Sequence, residues 1–359
     1  MTISKVAILG LGLIGGSFAK AIKHSKDSIV IYAFDRPEVL EKALAQKVID
    51  FSIKNVEESL TCDIIVIAFP IEHSLKVFKQ LSPKLNANQI ITDLCSVKGI
   101  FADEWQSLNS KGFYIGSHPM TGKEKSGFDN SDLLLFENSI FITCTTNQND
   151  EKLKLFIDFI KLTGARVTLL EAHLHDRIVS KVSHLPQLLS VLLVNQVNNT
   201  NDNINMLDYA AGGFRDMTRI ASSDFLMWKS ILQFNKSELL RTLKLFNDQI
   251  SNLIKLIADD NYENINNQFE RARITRNEIP INTKGFIDQL FDITIFVKDE
   301  PGMISKISTL LFENKINIKD IELLKIREGT GGNFKFYFES RSDADNAKRL
   351  MLDAGFHIQ

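Results

Sequence analysis

A chain of 359 residues is longer than one hydrophobic core usually serves, and 44% hydrophobic with 24% charged residues is the composition of a folded, multi-domain protein. A formal net charge of -2 gives no broad attraction to phosphate backbones or anionic lipid, so neither a nucleic-acid nor a membrane partner is expected. Three well-separated cysteines, Cys62, Cys95 and Cys144, make no disulfide framework and no CxxC metal site; they fit a reducing, cytoplasmic compartment, and no metal is predicted.

The apolar start as far as Phe18 is broken by Gly10, Gly12, Gly15 and Gly16, which spoil a secretion-signal helix. No stretch approaches the ~18 to 20 consecutive apolar residues of a membrane span. Up to about residue 170, short β-branched runs at 6–9, 29–34, 64–69, 90–92, 140–143 and 167–170 alternate with amphipathic stretches. Such runs predict parallel strands covered by helices on both faces, a Rossmann-like doubly wound α/β domain over residues 1–170. Residues 171–283 lose the strand signal and show three- and four-residue apolar spacing, notably at 185–197 and 226–257, which predicts an all-helical domain. Gly212 and Gly213 mark a helix junction inside it, and a linker is read over 279–284. Residues 290–359 follow as strand (291–297), helix (302–314), strand (316–326), strand (334–339), helix (343–354) and a short last strand. This βαββαβ order is that of a ferredoxin-like module.

Gly10, Gly12 and Gly15 form GxGxxG directly after the first strand and at the opening of a helix. That spacing suits a tight turn, a close backbone approach of pyrophosphate and tight helix packing, with Leu13 and Ile14 at the helix start. Asp35 ends the second strand, where a carboxylate takes both ribose hydroxyls and repels a 2′-phosphate. NAD is therefore the expected cofactor, with Arg36 beside it able to soften the preference over NADP. A glycine turn that holds another nucleotide, or none, is the alternative.

Polar residues cluster where such a sheet exposes its strand ends. One cluster runs from Thr92 through Asp93 and Ser96 to Lys98, and another from Gly116 through His118, Pro119, Met120, Gly122, Lys123 and Glu124 to Gly127. A third joins Ser183, His184, Leu185 and Pro186 to the stretch from Gly213 to Arg219. A histidine flanked by glycine, serine and proline is not on an apolar face, whereas His184 among Val182, Leu185 and Leu188 reads equally as a structural histidine. Arg219 could instead cap a helix or pair with Asp216 or Asp224. His173 and His175 read as a solvated helix start, and Arg271, Arg273 and Arg276 as a solvated helical face.

Together with the glycine turn, these segments resemble the prephenate and arogenate dehydrogenase family of tyrosine biosynthesis, from the first strand to about residue 280; the run from His118 to Gly127 is the most specific part. The last module resembles an ACT domain through the run Asp299 to Met303 and Asn317 to Ile321. The resemblance implies oxidative decarboxylation of prephenate with NAD, with arogenate as the alternative substrate. It implies His118 as general base, Ser96 sharing a hydrogen bond with His118 or the substrate hydroxyl, and Arg219 as carboxylate anchor tethered by Asp216. Glu124 would gate the pocket and His184 would line it. A homodimer joined through the helical domain and tyrosine as effector at the ACT-like module are also implied. Lys123 stands where the family commonly has threonine, and Gln187 where many relatives have histidine. β-Hydroxyacid dehydrogenases share the domain order but use a lysine within a glycine-rich run, which Lys181 lacks; a non-enzymatic amino-acid sensor would not need the polar strand-end residues.

Overall fold

The computed structural model describes residues 3–26, 28–123, 125–145, 150–198, 205–278, 290–327 and 330–358, in two compact units, Met1–Arg276 and Asn277–Gln359. The first unit opens on β1 (Lys5–Leu9), β2 (Val30–Phe34), β3 (Phe51–Ser52), β4 (Ile64–Ile67), β5 (Ile90–Asp93) and β6 (Phe113–Tyr114). All pair in parallel, in the order β3-β2-β1-β4-β5-β6. The uninterrupted apolar β4, Ile64 to Ile67, is fully buried because helices lie on both faces. Phe18 of α1 (Leu13–Ser25) and Ala43 of α2 (Pro37–Ala45) pack with Val6, Ile8 and Val66 on one face. Phe78 of α3 (Ile71–Leu81) and Phe101 of α4 (Gly99–Ser107) pack with Leu9, Ile65 and Ile67 on the other. The strand order reverses between β1 and β4, which opens a crevice at their carboxyl ends.

The runs at 140–143 and 167–170 were expected in this sheet and are not there. They form a second sheet of β7 (Gly116–Pro119), β8 (Ile140–Cys144) and β9 (Arg166–Leu170), with β7 antiparallel and β9 parallel to β8. An apolar run reports burial on both faces but not its pairing partner, and the Gly-Ser-His-Pro of β7 has no strand signature at all. The second sheet shares the core of the first through α5 (Glu151–Lys161), whose Phe159 ring lies 5.8 Å from that of Phe18.

A helical part follows: α6 (Ala172–Val179), a widened π-type turn Ser180–His184, and α7 (Leu185–Asn198). Pro186 has no N–H for the carbonyl four residues back, which accounts for the loosened turn before it. Then come α8 (Gly212–Thr218), α9 (Phe225–Phe234), α10 (Lys236–Ala258) and α11 (Tyr262–Glu278). The stretch 226–257 is thus two helices, broken at Asn235, whose side chain donates to the Asp176 carbonyl at 2.9 Å. By length and composition the run Ala172–Val197 could cross a membrane. Its buried His175, Asp176 and His184 instead pack inside the first unit.

In the second unit, β10 (Phe291–Lys298), β11 (Asp320–Arg327), β12 (Gly331–Phe338) and β13 (His357–Ile358) form an antiparallel sheet in the order β11-β12-β10-β13. The helices α12 (Met303–Glu313) and α13 (Arg341–Asp353) bury Ile307, Leu311, Ala347 and Met351 against Ile295 and Phe336. A cavity of about 350 Å³ opens beside the turn from β10 to α12, lined by Val297, Gly302, Met303, Gly331 and Phe334 among others.

Phe156 of α5 is fully buried in the core shared by the two sheets. Phe156→Ala is expected to cost about 3–5 kcal/mol of stability in urea unfolding of the whole chain; a loss below about 1 kcal/mol would mean that the sheets are not packed as one core.

Candidate active site

The glycine turn sits at the crevice. Gly10 leaves β1 with φ +103°, a conformation that disfavours a side chain, and a Cβ there would lie 2.9 Å from the Ala68 backbone. A Cβ on Gly15 would lie 1.9 Å from the Gly10 carbonyl oxygen, so the helix can approach the turn only with glycine at that position. Gly12 is different: a Cβ there meets nothing within 4 Å, and no side chain caps the helix that begins at Leu13. Open space over free helix N–H groups is what a pyrophosphate requires. Asp35, at the end of β2, accepts from the Leu11 N–H at 2.6 Å and the Arg36 N–H at 2.7 Å, which fixes its carboxylate beside the turn. Arg36 itself is 80% exposed. These residues fit a dinucleotide.

The second cluster forms at the carboxyl end of β5. Buried Asp93 pairs with the fully buried ammonium of Lys98 and accepts from the Tyr114 hydroxyl at 2.8 Å. Lys98 and Gly99 also open α4, and their N–H groups both donate at 2.7 Å to the carboxylate of Asp176 on α6. Asp176 bonds His175 Nδ1 at 2.8 Å, and His175 Nε2 bonds His118 Nδ1 at 2.7 Å. A line of three side chains thus runs from a helix N-terminus to the half-buried ring of His118 on β7. Burial first, and then the crowding of His175, the Lys98 ammonium and His184 around the ring, hold the His118 imidazole well below its ordinary pKa.

His175 corrects the expectation of a solvated helix start: it is fully buried, while only His173 is exposed, 3.0 Å from Asp103. The signal was present in the sequence. Ala172, His175, Asp176 and Val179 fall at i, i+3, i+4 and i+7, so two polar residues occupy the buried stripe of α6.

His118 bonds His175 and not Ser96, which is half-buried in the loop between β5 and α4. His184 is buried in the widened turn, its ring 5.8 Å from that of Trp228 and its Nδ1 3.3 Å from the Asn235 amide. Burial pushes its pKa down to about 4. Gln187 is buried and donates to the Ile220 carbonyl at 2.9 Å, in the turn that also carries Arg219. Asp216 on α8 and Arg219 are both exposed. Lys123 pairs with Asp132 at 2.8 Å, and Glu124 lies outside the described residues. The thiols are no nucleophiles: burial raises Cys62 to about 11 and Cys95 and Cys144 to about 12.

Residues 18–169 match the model of the prephenate dehydrogenase nucleotide-binding domain, 171–271 that of the prephenate dehydrogenase dimerization domain, and 291–351 that of the ACT domain. The chain is 32% identical over 355 residues to a prephenate dehydrogenase of Bacillus subtilis, covering 96% of this chain and 95% of the relative. It is 33% identical to one of Lactococcus lactis, with 98% of both covered. Among solved structures, prephenate dehydrogenase of Aquifex aeolicus in complex with hydroxyphenyl propionate and NAD+ superposes with a TM-score of 0.71 at 31% identity, over 78% of this chain and 99% of that one.

The buried histidines make a stability prediction with a definite sign. The unfolded chain takes up protons on these rings as pH falls below about 6.5, while folded His184 stays neutral until about 4. Stability is complete above the unfolded value and is lost between the two, by on the order of 3 kcal/mol from His184 alone. The melting temperature should be level from about pH 8 to 7 and fall through that window, less steeply in His184→Asn; a level curve down to about pH 4 would contradict the assignment.

Proposed function

The chain belongs to the prephenate dehydrogenase family, and on that premise we propose that it catalyses the NAD-dependent oxidative decarboxylation of prephenate to 4-hydroxyphenylpyruvate, a step of tyrosine biosynthesis. The observation that carries this reading is His118, on β7 beside the end of β5, held at one ring nitrogen by His175, with burial keeping the imidazole below its ordinary pKa. When bound, NAD supplies the acceptor for the hydride that leaves C4 of the substrate. Gly10, Gly12, Leu13, Ile14 and Gly15 hold its pyrophosphate, and Asp35 with Arg36 the adenosine ribose, the carboxylate favouring NAD over NADP.

His118 takes the proton of the C4 hydroxyl, so that the oxygen's electrons can form the carbonyl; loss of the ring carboxylate as carbon dioxide then makes the ring aromatic. Ser96 orients that hydroxyl. Arg219 offers a guanidinium fork to a substrate carboxylate, with Asp216 as its tether, and Glu124 gates the pocket. His184 and Trp228 form an uncharged wall, since a ring with a pKa near 4 stays neutral at cytoplasmic pH. The working division is residues 1–170 for cofactor, 171–283 for substrate and dimer contacts, and 290–359 for regulation. Phe225 and Leu226 of α9 and Phe269 of α11 are 64%, 75% and 70% exposed. Large apolar side chains on the dimerization segment fit a homodimer of a soluble, cytoplasmic enzyme. The cavity beside Gly302 is the place for an amino-acid effector, tyrosine.

The test is absorbance of reduced nicotinamide after mixing the full chain with NAD and prephenate, and separately with arogenate or NADP. Turnover on prephenate with NAD supports the reading, and turnover on neither substrate overturns it. His118→Asn should lower kcat by roughly 10² to 10⁴ with NAD affinity nearly intact, as loss of a general base predicts; unchanged kcat would remove His118 from the chemistry. Arg219→Gln should mainly raise the KM for prephenate, because the anchor binds ground and transition states alike. A steady KM would place the anchor elsewhere.

A further inference from the structure

We propose that His175 and Asp176 are positioning residues that fix the tautomer of His118, so that Nε2 of His118 carries the lone pair offered to the substrate. The inference rests on His118 as the base and concerns how that base is prepared.

Asp176 sets the direction. Its Oδ2 accepts from the Gly99 N–H, and its Oδ1 accepts from the Lys98 N–H and faces His175 Nδ1 at 2.8 Å. The reverse polarity would need a proton on Oδ1, where the Lys98 N–H already points. His175 therefore carries its proton on Nδ1. Burial keeps the His175 ring below its ordinary pKa, so it is neutral and Nε2 is an acceptor. The 2.7 Å contact with His118 Nδ1 then requires a proton on that nitrogen, and a neutral His118 is left bare at Nε2.

The same line answers a charge problem. Once His118 accepts a proton it becomes a cation close to buried Lys98, whose own charge is matched by Asp93. Asp176 supplies the second negative charge, and the N-terminus of α4 keeps it in place. Among the described residues, His184 also bears on His118; it is neutral and adds no balancing charge. Without the pair, the ring would be free to protonate at Nε2 and turn a donor toward the hydroxyl it must deprotonate.

The experiment is a long-range 1H–15N spectrum of the full chain labelled with 15N-histidine, at about pH 7.5, with the His118 signals assigned from their loss in His118→Asn. In the wild type the proton is expected on Nδ1 and the lone pair on Nε2. In His175→Leu that preference should disappear and kcat should fall on the order of 10- to 100-fold, while the prephenate KM and NAD affinity move less than about two-fold. If the leucine variant does not fold, Asp176→Asn, which keeps the side-chain shape, carries the same comparison. A wild-type His118 protonated on Nε2, or a folded His175→Leu or Asp176→Asn enzyme with unchanged kcat, overturns the proposal. Full turnover in His118→Asn would instead overturn the base itself, so the two failures are told apart.

Discussion

Burying a carboxylate costs several kcal/mol unless its oxygens find donors, and Asp176, 5% exposed, meets that demand at the first turn of α4. Two backbone N–H groups and one imidazole share its two oxygens. Because α4 follows β5, the contact ties the first helix beyond the sheets to the strand end where cofactor and substrate meet. Hydrogen bonds to charged groups contribute about 1.5–3 kcal/mol each, so this one side chain fixes the relative position of α4, α6 and, through His175, β7.

The rest of the site follows from that fixed point. His118 is the half-buried residue of a short strand whose other members, Gly116, Ser117 and Pro119, are buried. The 2.7 Å bond to His175 holds one nitrogen of its ring. Asp93, Lys98 and Tyr114 form a second buried polar group, in which Asp93 accepts from Tyr114 and the Cys95 N–H and pairs with Lys98. The glycine turn is held in the same manner: Asp35 clamps the Leu11 N–H on one side of Gly12 and leaves the other side open. Both halves of the site are thus shaped before any ligand arrives, which is where catalysis by positioning gains most.

Much of this was legible in the residues. The four parallel strands nearest the glycine turn announced themselves as continuous β-branched runs, because a strand covered on both faces has no polar alternation to hide it. The fingerprint and Asp35 were readable since each glycine answers a steric demand. The ferredoxin-like order of the last module came through element by element, with ends shifted by a few residues, such as β11 starting at Asp320 rather than 316. What escaped was pairing and partnership. Residues 140–143 and 167–170 were seen as strands but placed in the wrong sheet, since partner choice depends on where the chain turns back, here at β7. A His-x-His pair without a third metal ligand points to a solvated helix start, yet the place of His175 on the stripe with Ala172 and Val179 argues for burial. Asn235 hid a helix break because the apolar spacing continues across it.

The most direct test of the account is a crystal structure of this chain with NAD and a 4-hydroxyphenyl acid bound together. The account expects the ring hydroxyl about 2.6–3.2 Å from Nε2 of His118, with Nδ1 still bonded to His175. A hydroxyl bound by another side chain, with the His118 ring turned away from the nicotinamide, would contradict it.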